Sequence, residues 1–386
     1  MRVLTAPALL LLLIPSIARA AKPVTIAQLE QILLADHGQS DGHVAGQLAN
    51  LTLTERVTAQ RLVSWQAWFP GQRTQEALLL LADESAFQPL PASVLSDDAP
   101  PGVPAEGKIF AAALEYATRT IHNLPNFLAA RQTLHFEASL DRVMEQARNA
   151  AGSTIQSLGA PSLSIESVNY LPLHFTEKSS ALVTYRDGRE VPASHGAARR
   201  DLGLTTNGEF GPILTVVLRD AVHSSIVWGY WQQHGDTRLA VFRYRVPMEE
   251  SHYLVEYREG GLVQSYPAYH GEIAVDPATG SIFRISVVSE PVMPFEPVGS
   301  GILVEYGSVI LGGRAYIVPL HGVALSKVPV LPGPETPPTA VTPMQLRLND
   351  VAFTRYRIFR ADTRILTTEE SQHLRNNTPA PKPPPQ

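Results

Sequence analysis

His270-Gly271-Glu272 puts an imidazole and a carboxylate two residues apart, a spacing that sends both side chains to one face of an extended strand. Glu249, Glu250 and His252 stand a short distance upstream. An imidazole with carboxylates is a donor set for a divalent metal, or a general acid and base. The deaminase form of His-x-Glu needs cysteine ligands, and the chain contains no cysteine. No His-Glu-x-x-His occurs either. A strand-surface histidine hydrogen-bonded to a neighbour uses the same residues with no chemistry at all. His252, His270 and Glu272 therefore stand as the metal or acid–base candidates, and no residue is assigned a catalytic role.

Three further patterns carry chemistry only in the right context. Gly38-Gln39-Ser40-Asp41-Gly42 matches the letters of a nucleophile elbow, but that device needs a strand before the serine, and helical patterns flank it here. Gly102 to Lys108 has phosphate-loop spacing, yet Ile109 stands where magnesium needs a hydroxyl, and proline-rich sequence precedes it. No cofactor is expected. Trp228, Tyr230 and Trp231 are the densest aromatic group. Plain alternation puts Trp228 and Tyr230 on one strand face and Trp231 on the other. With Phe242 and Tyr244, Trp228 and Tyr230 are the candidate lining of an apolar ligand cavity, or equally the core and rim of a sheet.

Composition narrows the partners. The 386 residues hold 31 Lys+Arg against 36 Asp+Glu, a net charge of −5 that disfavours nucleic acid and acidic lipid surfaces. The absence of cysteine removes zinc ribbons, iron–sulfur clusters, thiol catalysis and disulfide scaffolds. Arg2, the apolar run 9–14 and Ala18-Arg19-Ala20 have the order of a secretory signal cleaved near Ala20. That run falls short of the ~20 residues a spanning helix needs, and no later run reaches that length. A periplasmic or secreted chain with no transmembrane segment is expected.

The elements that must position these residues follow from periodicity. Residues 21–87 read as a small helical domain. Thr25 can cap a stripe of Ile26, Leu29, Ile32 and Leu33, and Thr52 with Glu55 has capping-box spacing before Val57, Leu62, Val63 and Trp65. Residues 88–107, rich in proline and acid, read as a linker. From Phe127 the period becomes two, as in Ala240-Phe242-Tyr244-Val246 and Ile285-Val287, with turn signals at Asp187-Gly188, Gly235-Asp236 and Gly312-Gly313. A helix interrupts the strands near 210–222. The predicted class is α+β: a helical domain, then at 108–366 a curved antiparallel sheet forming a half-open barrel with packing helices. Residues 139–160 look like an insertion, and 367–386 like a disordered tail.

Leu124-Pro125-Asn126-Phe127, Gly208-Glu209-Phe210-Gly211, Ser251-His252-Tyr253, Tyr269-His270-Gly271-Glu272-Ile273, Val304-Glu305-Tyr306-Gly307 and Asn349-Asp350-Val351 occur in that order. In this arrangement the chain resembles a family of exported, uncharacterised proteins of acidobacterial type, along most of its length. Relatives carry a cysteine soon after the Leu-Pro-Asn-Phe element; Leu128-Ala129 stand here. The sheet-plus-helix pattern is also similar to the lipoprotein-carrier fold of the LolA and LolB type. That likeness implies a curved sheet and helices enclosing an apolar cavity, and it concerns architecture alone.

Three functions follow in order of preference. The first is an exported, non-enzymatic binding protein holding a lipid or other apolar ligand in the half-barrel. The second is a cell-envelope interaction module, its helices docking a protein partner through Trp65, Trp68 and Phe69. The third is a hydrolase or metal enzyme built on His252, His270 and Glu272.

Overall fold

The structure, a computed structural model, describes residues 21–138, 173–191, 212–258, 262–290, 299–329 and 344–358. The signal pattern, the insertion at 139–160 and the C-terminal tail lie outside the described residues.

The helical unit comprises β1 (Lys22–Val24), α1 (Ile26–Ala35), α2 (Asp41–Leu48), β2 (Leu51–Leu53), α3 (Ala59–Trp68) and α4 (Gln72–Glu84). Thr25 caps α1 in a full capping box: its Oγ1 accepts the Gln28 N–H at 3.2 Å, and Gln28 Oε1 accepts the Thr25 N–H at 2.9 Å. The α1 stripe then buries Ile26, Leu29 and Leu33 against Trp65, Phe69, Leu78 and Leu81. The box expected at Thr52 and Glu55 does not form. Thr52 lies in β2, paired in parallel with β1, and Glu55 instead accepts the Ile26 N–H at 2.8 Å. Thr58 caps α3 in its place. Pairing with a strand distant in sequence overrode a local signal. Gly38, at φ +90°, turns the chain between α1 and α2, so no strand precedes Ser40. Trp65 and Phe69 are core residues, and only Trp68 of the three aromatics is exposed.

After α5 (Val103–Asn123) the chain alternates as expected: β3 (Phe127–Ala138), β4 (His174–Arg186), β5 (Arg189–Val191), then α6 (Pro212–His223), β6 (Ser225–His234), β7 (Thr237–Val246), the hairpin β8 (Val255–Arg258) and β9 (Leu262–Ser265), β10 (Tyr269–Val275), β11 (Ile282–Ser289), β12 (Gly299–Leu311), β13 (Arg314–Pro329) and β14 (Met344–Ile358). Ten of these strands form one curved antiparallel sheet in the order β5-β4-β3-β14-β13-β12-β11-β10-β7-β6, which does not close into a barrel. No helix of the described residues is long and apolar enough to cross a membrane.

Alternation gives the sheet two buried faces. Phe242, Ile273, Ile285 and Val304 share the first with α5 and α6. Leu303, Val323 and Leu348 point to the second, where Leu80, Ala86 and Phe87 of the helical unit cover them. Gly301 makes room there, since a Cβ would come within 2.7 Å of the Phe87 ring. The proline-rich segment is fastened to the sheet: the Ser96 N–H donates to Trp231 O at 3.1 Å, the Trp231 indole N–H to Ala99 O at 3.0 Å, and Asp98 pairs with Arg238.

Candidate functional site

Where the helical unit meets the second face, the interface turns polar. Glu305 of β12 and His321 of β13 are register partners, and Asp350 of β14 lies diagonally across from His321. Val304 and Tyr306 belong to the first-face core, so Glu305 must project to the other side. Asp83, at the last turn of α4, comes down onto these three. His321 Nε2 lies 2.6 Å from Asp350 Oδ2 and 3.9 Å from Asp83 Oδ1, while its Nδ1 lies 3.3 Å from Glu305 Oε2. One imidazole thus answers three carboxylates.

Burial and charge set the protonation of this cluster. Burial, with Asp350 beside it, pushes the Asp83 carboxyl well above its ordinary value. Burial alone would depress His321, but its bonds to Asp350 and Glu305 outweigh that and raise it well above the usual imidazole value. Burial would likewise raise Glu305, yet His321, Arg56 and Arg284 hold it down at about 2. His321 is therefore held as an imidazolium against the Glu305 carboxylate, and Asp83 as a neutral acid.

The four residues of the cluster line a cavity of about 240 Å³. The remaining wall is mostly apolar, with Val57, Leu62, Leu79, Ala82, Leu303 and Val323 prominent in it. Arg56, on the connection from β2 to α3, enters the same cavity. Arg56 is only 7% exposed, and its Nη2 has no hydrogen-bond partner among the described residues. Burial, with Arg284 nearby, lowers its guanidinium to about 10, still charged at neutral pH. Oδ2 of Asp83 has no hydrogen-bond partner among the described residues either. Buried polar atoms without partners are uncommon, and two of them belong to residues that line one space here.

Beside the cavity a second charged group spans β6, β7, β10 and β11. The Arg284 Nη1–H donates to Gln232 Oε1 at 2.6 Å and its Nη2–H to Glu272 Oε2 at 3.3 Å; the Tyr230 hydroxyl donates to the same oxygen at 2.7 Å, and Arg243 pairs with Oε1 at 3.4 Å. Burial pushes the Tyr230 hydroxyl up to about 12.

The residues singled out by sequence do not meet at one point. His252 Nδ1 lies 2.7 Å from Asp220 Oδ1 of α6, His270 faces Glu290 at 3.0 Å, and Glu272 belongs to the Arg284 group. Phe242 and Tyr244 are buried on the first face, where Phe242 touches Phe110 of α5 at 5.6 Å between ring centroids. Trp228 packs edge-on to Phe242 and to Trp231, at 5.7 and 4.8 Å. Its expected partner Tyr230 lies on the opposite face. The cause is a bulge: the register of β6 on β7 shifts between Trp228 and Tyr230, at Gly229. One extra residue reverses the alternation, so Trp228 shares its face with Trp231 and not with Tyr230.

The sequence points to no site role for Asp83, Glu305, His321, Asp350 or Arg56, although Glu305 and Asp350 stand in the motifs that carry the family resemblance. The available signal was weak: a charge on an inward-pointing strand position, as at Glu305 between Val304 and Tyr306, or at Asp350 beside Val351. No protein-family model, curated protein or solved structure matches the chain.

Proposed function

We propose that the chain is an exported, non-enzymatic binding protein that holds a small apolar molecule bearing one anionic group. The ligand's place is the cavity between α3, α4 and the second face of the sheet, not the first face occupied by Phe242 and Tyr244. One observation carries this: the buried Arg56 lines a cavity whose other walls are mainly apolar, and its Nη2 finds no hydrogen-bond partner among the described residues. A buried donor is costly without an acceptor, and an incoming carboxylate supplies one while the apolar wall takes the tail. The order of Arg2, the apolar run 9–14 and Ala18-Arg19-Ala20 supports export.

Calorimetry with octanoate and octanol tests this directly. Octanoate is expected to bind about 10- to 150-fold more tightly than octanol, the range for a hydrogen bond to a charged group worth ~1.5–3 kcal/mol. Arg56→Met removes that preference. Ala82→Leu, which fills the cavity from α4, abolishes binding of both, and Trp228→Leu leaves it unchanged. Binding that survives Ala82→Leu and disappears with Trp228→Leu would move the ligand to the first face and end the proposal.

A further inference from the structure

The unpartnered Asp83 oxygen has a second meaning. One nitrogen of His321 and one oxygen each of Asp83 and Asp350 lie within 4.8 Å of one another. We propose that Asp83, His321 and Asp350 form a site for one divalent cation of the zinc type, with Glu305 as the positioning residue behind His321. Zinc takes imidazole nitrogen and carboxylate oxygen at ~2.0–2.2 Å in a tetrahedron, which sets ligand atoms roughly 3.3–3.6 Å apart. The His321–Asp350 contact of 2.6 Å has to widen to that edge, and the His321–Asp83 separation of 3.9 Å to close slightly. Both are side-chain adjustments of less than about an ångström on that scale.

Three features beyond proximity support the assignment. First, Asp83 is 2% exposed and its Oδ2 has no hydrogen-bond partner among the described residues, so a buried carboxyl oxygen stands unused beside the site. A cation held by both oxygens of the deprotonated group satisfies it. Second, the far nitrogen of His321 already faces Glu305 at 3.3 Å. A metal-ligating histidine ordinarily gives its other N–H to a carboxylate, which fixes the tautomer and turns the ring. Third, three carboxyl groups surround a single imidazole here, and imidazole with carboxylate is a donor set that zinc takes. One imidazole among the donors favours zinc over calcium or magnesium, which prefer oxygen throughout. Three protein ligands leave a fourth position, and His321 and Asp350 both line the cavity, so that position is open to water or to a ligand carboxylate.

The inference goes beyond the binding reading and stands without it, since protein groups alone hold the ion. The untagged full-length chain, stripped with EDTA, is titrated with Zn²⁺, Mg²⁺ and Ca²⁺ by calorimetry, with native mass spectrometry giving the stoichiometry. One Zn²⁺ per chain is expected, bound at least 100-fold more tightly than the other two. Asp83→Asn and Asp350→Asn each weaken Zn²⁺ by about 100-fold or more, and Glu305→Gln by about 10- to 100-fold, the range for an outer-shell partner. His270→Asn, at the separate Glu290 pair, changes nothing. Asp83→Asn keeps a charge-free side chain of the same shape, so its melting curve and circular dichroism report that the fold persists. Co²⁺ substitution gives the visible bands of a tetrahedral nitrogen–oxygen site in the parent chain and not in Asp83→Asn. Failure to retain Zn²⁺, or equal retention by Asp83→Asn and Asp350→Asn, overturns the proposal. Octanoate binding measured on the EDTA-treated chain is a separate reading, so loss of one claim leaves the other standing.

Discussion

Replacing Gly271 with alanine is expected to destabilise the fold by about 3 kcal/mol or more, a large effect for one methyl group. Gly271 lies opposite Tyr244 in the β7–β10 register, and the Tyr244 ring crosses it so that its hydroxyl donates to Ser286 O on β11 at 2.6 Å. A Cβ at Gly271 would stand 1.8 Å from that same carbonyl oxygen and 2.8 Å from the hydroxyl. The obstacle is mainly backbone of a central strand, which cannot swing aside as a side-chain tip would. Tyr244 would be expelled from the first-face core, leaving a void and an unpartnered carbonyl. Urea unfolding monitored by circular dichroism checks this. A midpoint within experimental error of the parent would contradict the close approach of Tyr244 over Gly271.

Arg284→Met carries the second large effect, a loss of about 3 kcal/mol. The Arg284 side chain is 5% exposed, and it satisfies both Gln232 and Glu272 on the second face. Methionine fills the volume but strands a largely buried carboxylate, and breaking a buried pair from one side leaves its charge uncompensated. The double variant Arg284→Met/Glu272→Gln should recover much of the loss, because no charge then remains to be answered. The pair also gives a pH signature. Burial would raise Glu272, but Arg284, Tyr230, Arg56 and Arg243 together hold its carboxyl below its ordinary value. Its stabilisation is therefore fully present above the unfolded value of ~4.3 and is lost as pH falls through the lower folded value. Unfolding free energies taken from pH 6 down to pH 3 should fall less steeply for Glu272→Gln than for the parent. Parallel curves would remove Glu272 from the acid-labile groups.

The sheet was legible because its strands carry period two in a plain form. Ala240, Phe242, Tyr244 and Val246 all turn to one buried core, as their spacing requires. The helical unit was legible from the α1 stripe and the Thr25 cap. The bulge at Gly229 was not: a glycine in a strand suggests one, but nothing local says that the alternation reverses there, and so Tyr230 was placed on the wrong face. The site was hidden for a different reason. Asp83 sits at the end of a helix whose apolar stripe explains the neighbouring Leu78, Leu81 and Ala82, while His321, Glu305 and Asp350 come from three strands that pair only in the folded sheet. Their meeting depends on strand register and on the helical unit settling over the second face. Neither is written in any local window of residues. The His270-Gly271-Glu272 motif, by contrast, was conspicuous in sequence because Gly271 is needed for Tyr244 to cross, a structural demand that mimics a chemical one.

The most direct test of the account is a crystal structure of the chain grown with octanoate. Density for the chain-like ligand is predicted between α3, α4 and strands β12 to β14, with its carboxylate at hydrogen-bond distance from Arg56 Nη2. Density instead against Trp228 and Phe242, or a cavity holding only water at saturating octanoate, would contradict it.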